Sequence, residues 1–399
     1  MLRSTRKVTR EQSKIHNNRL VLKTIFAQGE ISRADIARVT DLTATTVSGI
    51  VAEAIDNGLV EEVGSITLAR GKPPTLLSMV KESRHLLGLD LARSEFQGAV
   101  MNLRGERLDQ VSIPVAGQTG DEALSLVYDL IDALLKAVDT PLLGIGIAAP
   151  GIIDAGNGVV RHAVNFGWYD LPLRRLLFER YGLPVYVAND NDVAVLAEYT
   201  FGAYKSSTDL VVVSAGHGIG AGIVLGGHLF YGHGFGAGEI GHVVVVEDGE
   251  LCMCGNHGCL ETIASSRAIV KRAQLIAQAN PQSLLHQDAV DLQDLKIGAV
   301  VQAYEAGDST LQEVVADVGH YLGVAMANLV GVLSVPTILV AGSVAQFGRP
   351  LLTTLREVVA KNSLAALASK TRIEFSSLDH DIIFLGTAAL VLSEELGVV

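Results

Sequence analysis

The chain has only three cysteines in 399 residues. An odd number leaves one thiol unpaired, which excludes a complete disulfide framework. It has no apolar leader followed by a cleavage site, so an oxidising compartment is not expected and a cytoplasmic location is. Its longest apolar runs are strand-length, which argues against a transmembrane helix. It is also short of positive charge. With 31 basic and 43 acidic side chains the formal net charge is -12, which by itself argues against nucleic acid. What is present is a hydrophobic content of 49% with 41 glycines, the composition of a compact α/β protein and not of a disordered one. The length exceeds one ordinary core, so two or three domains are expected.

The charge is uneven. Residues 1–75 hold 11 basic and 8 acidic side chains, a net of +3, and the remainder a net of -15. Residues 1–25 alone hold seven basic residues and one acid, Glu11. A basic head on an acidic body suggests that only the head approaches a polyanion. The head has a legible pattern. Ile15, Leu20, Leu22, Ile25 and Phe26 form a helical apolar stripe that stops at Gln28-Gly29. Ser32 caps a second helix over 33–39, with Asp35 in the capping-box position. Thr43 caps a third from Ala44 to about Asn57, with Val47, Ile50, Val51 and Ile55 inward, and Gly58 ends it. Two strands follow, near Leu59–Val63 and Leu76–Val80, joined by the basic loop Arg70-Gly71-Lys72-Pro73. This order predicts a winged helix-turn-helix over 1–82, with operator DNA as partner. The expected DNA-contacting residues are Arg33, Thr43, Ala44, Thr45, Thr46, Ser48, Arg70 and Lys72. Few long polar side chains line the third helix, so direct base readout is expected to be thin.

All three cysteines fall within eight residues, as Cys252-Met253-Cys254-Gly255-Asn256-His257-Gly258-Cys259, and His242 lies ten residues upstream of the first. Three thiolates and one imidazole complete a tetrahedral zinc shell, and four protein ligands leave no open position, so the zinc would be structural. His257 is a rival fourth ligand. His242 is preferred, because a short loop does not easily turn Cys254, His257 and Cys259 toward one ion.

Beyond the head, strands are expected at Leu86–Leu91, Gln97–Asn102, Leu142–Ile147, Val185–Val187, Asp209–Ser214 and Ile338–Val340, with a helix from Val193 to Tyr199 and a glycine turn over Gly216–Gly222. Polar or glycine-rich turns sit at strand ends, where ligands bind in open α/β sheets. These residues resemble the ROK family of bacterial sugar kinases and sugar-responsive repressors. The likeness rests on Ala149-Pro150-Gly151, Asn189-Asp190, Gly216–Gly222, Gly238-Glu239-Ile240-Gly241-His242, and Cys252–Cys259 running into Leu260-Glu261. With a winged helix ahead of it, the chain looks like the repressor branch, such as the glucose- and N-acetylglucosamine-responsive regulators. The resemblance implies an actin-like α/β body with one lobe over 83–205 and a second over 206–399 that carries the zinc loop, the C-terminal helix returning to the first lobe. It implies that Gly151, Asn165, Asn189, Asp190, Glu239, His242 and Glu261 line a sugar pocket, Asp190 matching the kinase general base. Asp192 and Glu198 are read as solvated surface charges.

The departures from the kinase pattern matter. The first phosphate turn is Asp90-Leu91-Ala92-Arg93-Ser94, without the glycines that let backbone approach phosphate, and the second carries His217 where the kinases usually have threonine. Kinase activity is therefore not expected, and Asp190 becomes a hydroxyl acceptor. The implied function is a sugar-responsive regulator of carbohydrate genes, a homodimer or homotetramer that releases operator DNA when sugar binds. The rivals are a sugar kinase with an added head, and a regulator read by a membrane sugar-transport component. Trp168, the single tryptophan, is placed either beside the pocket or in the core, and Gly323, Ala327, Asn328 and Leu329 on a helix that packs in the core or at an interface.

Overall fold

The computed structural model describes residues 9–65, 74–92, 94–205, 207–288, 291–378 and 381–398. The chain divides into two compact units, Met1–Ala188 with Thr387–Val399, and Asn189–Gly386.

The first unit opens with α1 (Arg10–Gln28), whose N-terminus carries a reciprocal cap. Thr9 Oγ1 accepts from the Gln12 N–H at 3.1 Å and the Thr9 N–H donates to Gln12 Oε1 at 2.9 Å. A short strand, β1 (Ile31–Ser32), leads into α2 (Arg33–Thr40), and Ser32 Oγ accepts from the Asp35 N–H at 3.2 Å. The expected box is only half formed here, because the Asp35 carboxylate accepts from the Ser32 hydroxyl at 2.7 Å. Thr43 caps α3 (Ala44–Asp56) through the Thr46 N–H at 3.2 Å. Val47, Ile50 and Val51 are buried as expected, but Ala54 takes the last inward position and Ile55 is half-buried. At about 100° per residue, position 54 returns closer to the direction of Val47 than position 55 does. The hairpin of β2 (Val60–Ser65) and β3 (Thr75–Met79) follows, and β1 adds to β3 as a third strand, Ile31 opposite Leu77. Two residues are too few for a strand pattern, so β1 was not expected. Arg70 and Lys72 lie outside the described residues.

The rest of this unit holds β4 (His85–Leu91), β5 (Glu95–Asn102), β6 (Arg107–Pro114), α4 (Gly120–Leu135), β7 (Leu142–Ala149), β8 (Ile152–Asp154), β9 (Val159–Ala163), β10 (Trp168–Leu171), α5 (Leu173–Tyr181) and β11 (Val185–Asn189). Five strands form a sheet in the order β11-β7-β4-β5-β6, and β8, β9 and β10 a second, smaller one. The core joins Leu87, Leu89, Ile145 and Ile147 of the sheet to Leu130 and Leu134 of α4 and to Phe166. Trp168 belongs to it, 3% exposed, with its indole N–H on the Gly120 carbonyl at 2.9 Å.

The second unit repeats the strand plan. It contains α6 (Asp190–Thr200), β12 (Leu210–Ala215), β13 (Ile219–Leu225), β14 (His228–Leu229), α7 (Glu261–Ala264), α8 (Ser266–Ala279), α9 (Leu285–Asp288), α10 (Ile297–Glu305), α11 (Gln312–Leu333), β15 (Thr337–Ala341), α12 (Gly348–Asn362), α13 (Ala365–Ala368) and β16 (Arg372–Phe375). Its sheet runs β14-β13-β12-β15-β16, with β12 antiparallel to β13 and parallel to β15. In the first unit β4 is likewise antiparallel to β5 and parallel to β7. A last helix, α14 (Ile382–Leu396), passes from this unit into the first. Polar residues such as Asp317, His320 and Asn328 keep the apolar runs of α11 strand-length, but the helix is apolar on average. The helical stretch Ser309–Leu333 is long and apolar enough to cross a membrane, yet 61% of its most apolar window is buried in this structure. Val314, Val318, Leu322, Met326 and Val330 face the core, and bare Gly323 lets Val358 of α12 approach. That segment is core packing.

Candidate functional site

The glycine turn is shorter than its sequence suggested. Gly216–Gly218 form the turn, the Gly216 N–H reaching the Gly218 carbonyl at 2.9 Å, while Gly220 and Gly222 lie inside β13. Their role is close packing. A Cβ at Gly220 would lie 2.3 Å from Asn191 Nδ2, and one at Gly222 2.0 Å from the Asn191 carbonyl oxygen. The bare strand thus brings the first turn of α6 against the sheet.

That first turn carries Asn189 and Asp190. Asn189 caps α6, its Oδ1 accepting from the Asn191 N–H at 2.8 Å and from the Asn191 side-chain amide at 3.0 Å. Asp190 Oδ1 accepts from the same two groups at 2.9 and 3.0 Å. Asn191 therefore orients both neighbours, and its side chain is itself fixed over Gly220. The two acids taken for solvated charges are buried. Asp192 is 8% exposed, and burial, followed by the charges of Asp190 and Glu239, pushes its carboxyl up to about 7. Glu198 is fully buried, accepts from the Ser376 hydroxyl at 2.5 Å, and has its carboxyl raised by burial. A helix packed on a sheet buries its inward face whatever the side chain, and an isolated acid in a sequence does not reveal that.

Glu239, His242 and Glu261 come from the next loops. Glu239 precedes a single 3-10 turn, Ile240–His242, which puts His242 Nε2 3.8 Å from Glu239 Oε2. Burial, with the nearby Glu261 charge, raises the Glu239 carboxyl, and His242 opposes that. Glu261 opens α7 and accepts from the Ile219 N–H at 3.2 Å. The second unit thus brings Asp190, Asp192, Glu239, His242 and Glu261 within electrostatic reach of one another in a chain, with Asn189 beside Asp190. Gly151 and Asn165 belong to the first unit. Gly151, at φ +92°, turns where a Cβ would lie 2.1 Å from the His162 carbonyl oxygen, and Asn165 is exposed on a 3-10 turn.

On the other ring nitrogen of His242 sit the cysteines. Nδ1 is 3.6 Å from Cys252 Sγ, and Cys254 Sγ is 3.7 Å from Cys259 Sγ. The four ligand atoms all lie within 4.8 Å of one another. Ligands about 2.0–2.3 Å from one tetrahedral ion stand roughly 3.3–3.8 Å apart, so this set fits a metal such as zinc. His257 is turned away, its Nδ1 3.1 Å from the Gly249 carbonyl oxygen, which favours His242 as fourth ligand. The loop owes its shape to Gly255 at φ +94° and Gly258 at φ +72°, where a Cβ would lie 1.7 Å from the Val246 carbonyl oxygen. Cys254 is exposed and its thiol is drawn down by the Asn256 N–H, whereas burial pushes Cys259 up to about 12.

Where the resemblance placed the first phosphate turn, β4 and β5 pair as far as Leu91 opposite Phe96, and burial raises the Asp90 carboxyl to about 6. Arg93 lies outside the described residues. On the head, Thr43, Ala44, Thr45 and Ser48 are exposed along the start of α3, Thr43 and Thr46 share a hydroxyl contact of 2.8 Å, and Arg33 pairs with Glu62 of β2 at 2.9 Å.

Residues 86–394 match the ROK family model. The chain belongs to the ROK family. Within it, the xylose repressor of Caldicellulosiruptor bescii is 34% identical over 385 residues, covering 95% of this chain and 96% of that one. A glucokinase of Halalkalibacterium halodurans is also 34% identical, but over 78% of this chain and 96% of its own. Among solved structures, a ROK transcriptional regulator described as a homologue of the Escherichia coli MLC protein matches with a TM-score of 0.85 at 28% identity, over 97% of this chain and 98% of that one. The sugar-kinase-like α/β fold of the ROK family is thereby shown.

Proposed function

We propose that this ROK protein is a sugar-responsive transcriptional repressor of carbohydrate uptake or catabolism genes. One observation carries the reading. The likeness to a named repressor runs through 95% of the chain, whereas the likeness to a glucokinase of equal identity covers only 78%. Residues 1–82 act as a winged helix-turn-helix, with α3 in the major groove and the loop holding Arg70 and Lys72 on phosphate. Arg33, Thr43, Ala44, Thr45, Thr46 and Ser48 are the remaining contacts. Arg33 must share its guanidinium between phosphate and Glu62.

The body, residues 83–205 and 206–399, supplies the sensor. Asn189, Asp190, Glu239, His242 and Glu261 receive sugar hydroxyls, with Gly151 and Asn165 as further contacts. Convergent amides, carboxylates and an imidazole suit a ligand made of hydroxyls. Cys252, Cys254, Cys259 and His242 Nδ1 hold a structural zinc, which leaves His242 Nε2 for the ligand. Asp190 serves recognition and not proton abstraction, and the protein is not a kinase. It works in the cytoplasm as a homodimer or homotetramer, two heads reading two half-sites. A sugar-transport protein is a further partner. Sugar shifts the DNA-binding equilibrium only by its differential affinity for the two states, and the expected sign is release.

Fluorescence anisotropy on the protein's own upstream DNA, at fixed salt, tests this with D-xylose, D-glucose and N-acetyl-D-glucosamine. Specific binding abolished by one sugar is expected. Sugar-dependent ATP hydrolysis without specific DNA binding would establish the kinase instead.

A further inference from the structure

Glu261 is held from two directions. Its side chain is only 13% exposed. Oε2 accepts from the Ile219 N–H at 3.2 Å, just after the turn Gly216–Gly218, and a Cβ at Gly218 would lie 2.9 Å from the same oxygen. Oε1 accepts from Arg267 Nη2 at 3.2 Å. Arg267 stands in the first turn of α8, and its Nη1 donates to Met253 Sδ at 2.8 Å. Met253 lies between Cys252 and Cys254. One helical turn further on, Lys271 Nζ meets Glu250 Oε2 at 2.7 Å, two residues before Cys252. The Ser266 N–H donates to the Gly216 carbonyl at 2.8 Å. The start of α8 therefore holds the cysteine loop through two cations and the glycine turn through its backbone.

We propose that Arg267 is a positioning residue that couples the metal-binding loop to the glycine turn through Glu261, and so fixes the carboxylate that meets the sugar. The coupling follows from the guanidinium. Its two terminal nitrogens are locked in one plane, so the sulfur that orients one of them also orients the other. A lysine has a single nitrogen on a flexible stem, with no rigid fork to transmit orientation from one partner to the other. With Arg267 about one-third exposed, the ion pair adds little to global stability. Its effect is on geometry. Without it, Glu261 keeps one hydrogen bond and rotates about it, and the Ile219 amide opens more often. The sugar part of this inference rests on the proposed function, whereas the coupling itself does not.

The test is amide hydrogen exchange of residues 216–222 in the full-length protein, wild type and Arg267→Ala, each loaded with zinc and stripped of it. Zinc-loaded Arg267→Ala is expected to exchange about tenfold faster in the turn than wild type, within the range of ordinary coupling energies, while binding the same zinc and melting at the same temperature. Stripping zinc should accelerate the wild-type turn similarly and add little in the variant. Arg267→Lys should not rescue, and Met253→Ala, which keeps every ligand and Arg267, should loosen the turn in part. Unchanged exchange in Arg267→Ala, or an equal effect of zinc removal in both backgrounds, overturns the coupling. Equilibrium dialysis with the same three sugars reads the other half. A Kd raised about tenfold in Arg267→Ala is expected, and an unchanged Kd overturns the role of Arg267 in sugar placement. If wild type takes up none of them, the sugar reading fails while the exchange result still decides the coupling.

Discussion

Gly238 stands directly before Glu239 at φ +87°, and its carbonyl accepts from the Ala221 N–H of β13 at 2.8 Å. A Cβ there would lie 1.8 Å from the Ala221 carbonyl oxygen, and the backbone conformation is one that side chains resist. Gly238→Ala must push the Glu239 loop off the strand. The expected outcome is a protein that binds operator but no longer releases it with sugar, read by anisotropy. Undiminished release would mean that the position of Glu239 does not matter to the response. Asp192 gives a prediction with a pH sign. Its folded carboxyl is raised to about 7 by burial and by Asp190 and Glu239. Between the ordinary carboxyl range and about pH 7, the folded state keeps a proton that the unfolded chain has released. Stability therefore falls as pH rises through that window and stays reduced above it. Asp192→Asn should gain on wild type by an amount on the order of a few kcal/mol between pH 5 and pH 8. Melting curves at several pH values check this, and a constant gap would contradict it.

Among elements, the cysteine loop is the one most fully specified by its own sequence. Its three cysteines, its two left-handed glycines and its bridge from Val244 to Cys259 lie within a short stretch, and the proposed metal makes it testable. Cys254→Ser, or chelation, should lower the melting temperature, because a ligand held only by the folded state stabilises it by mass action. No change in melting on chelation would contradict a structural metal. The same locality explains what could be read in advance. The three head helices were legible from Thr43, Ser32 and Gly29, since caps act over three or four residues. The clustering of Cys252, Cys254 and Cys259 was legible from their spacing. Asp192 and Glu198 were misread because their burial depends on which face of α6 meets β13, a fact of tertiary packing. Whether Gly220 and Gly222 serve a turn or packing depends on the same contact, since a glycine needed for a close approach looks in sequence like one needed for a turn. Arg267 had no sequence signal at all, because its partners meet it only through the placement of α8.

At the scale of the whole molecule, the head does not hang on a linker within its unit. Arg104 Nη1 donates to the Phe26 carbonyl near the end of α1 at 2.8 Å and lies over the Phe26 ring, Arg84 Nη2 reaches the Asn57 carbonyl after α3 at 3.3 Å, and Arg19 Nη2 reaches the Glu394 carbonyl near the end of α14 at 3.1 Å. Each cation meets a helix C-terminal end, where carbonyls lack helical partners and the dipole is negative. The head is thus fixed to the same unit as β4 and α14, and a change in that unit reaches α3 without a flexible joint. On the proposed function, DNA binding and sugar sensing draw on different residues. On the proposed function, the net of +3 in residues 1–75 against -15 elsewhere favours phosphate contact by the head alone. Arg70→Ala should weaken binding to all sequences and reduce the slope of log affinity against log salt by about one per head. Thr45→Ala should alter preference among operator sequences at an unchanged slope, since it carries no charge. Both variants should keep the sugar affinity of wild type. A salt slope unaffected by Arg70→Ala would remove the loop from the phosphate contacts and leave α3 to hold the operator alone, which its small side chains are poorly equipped to do.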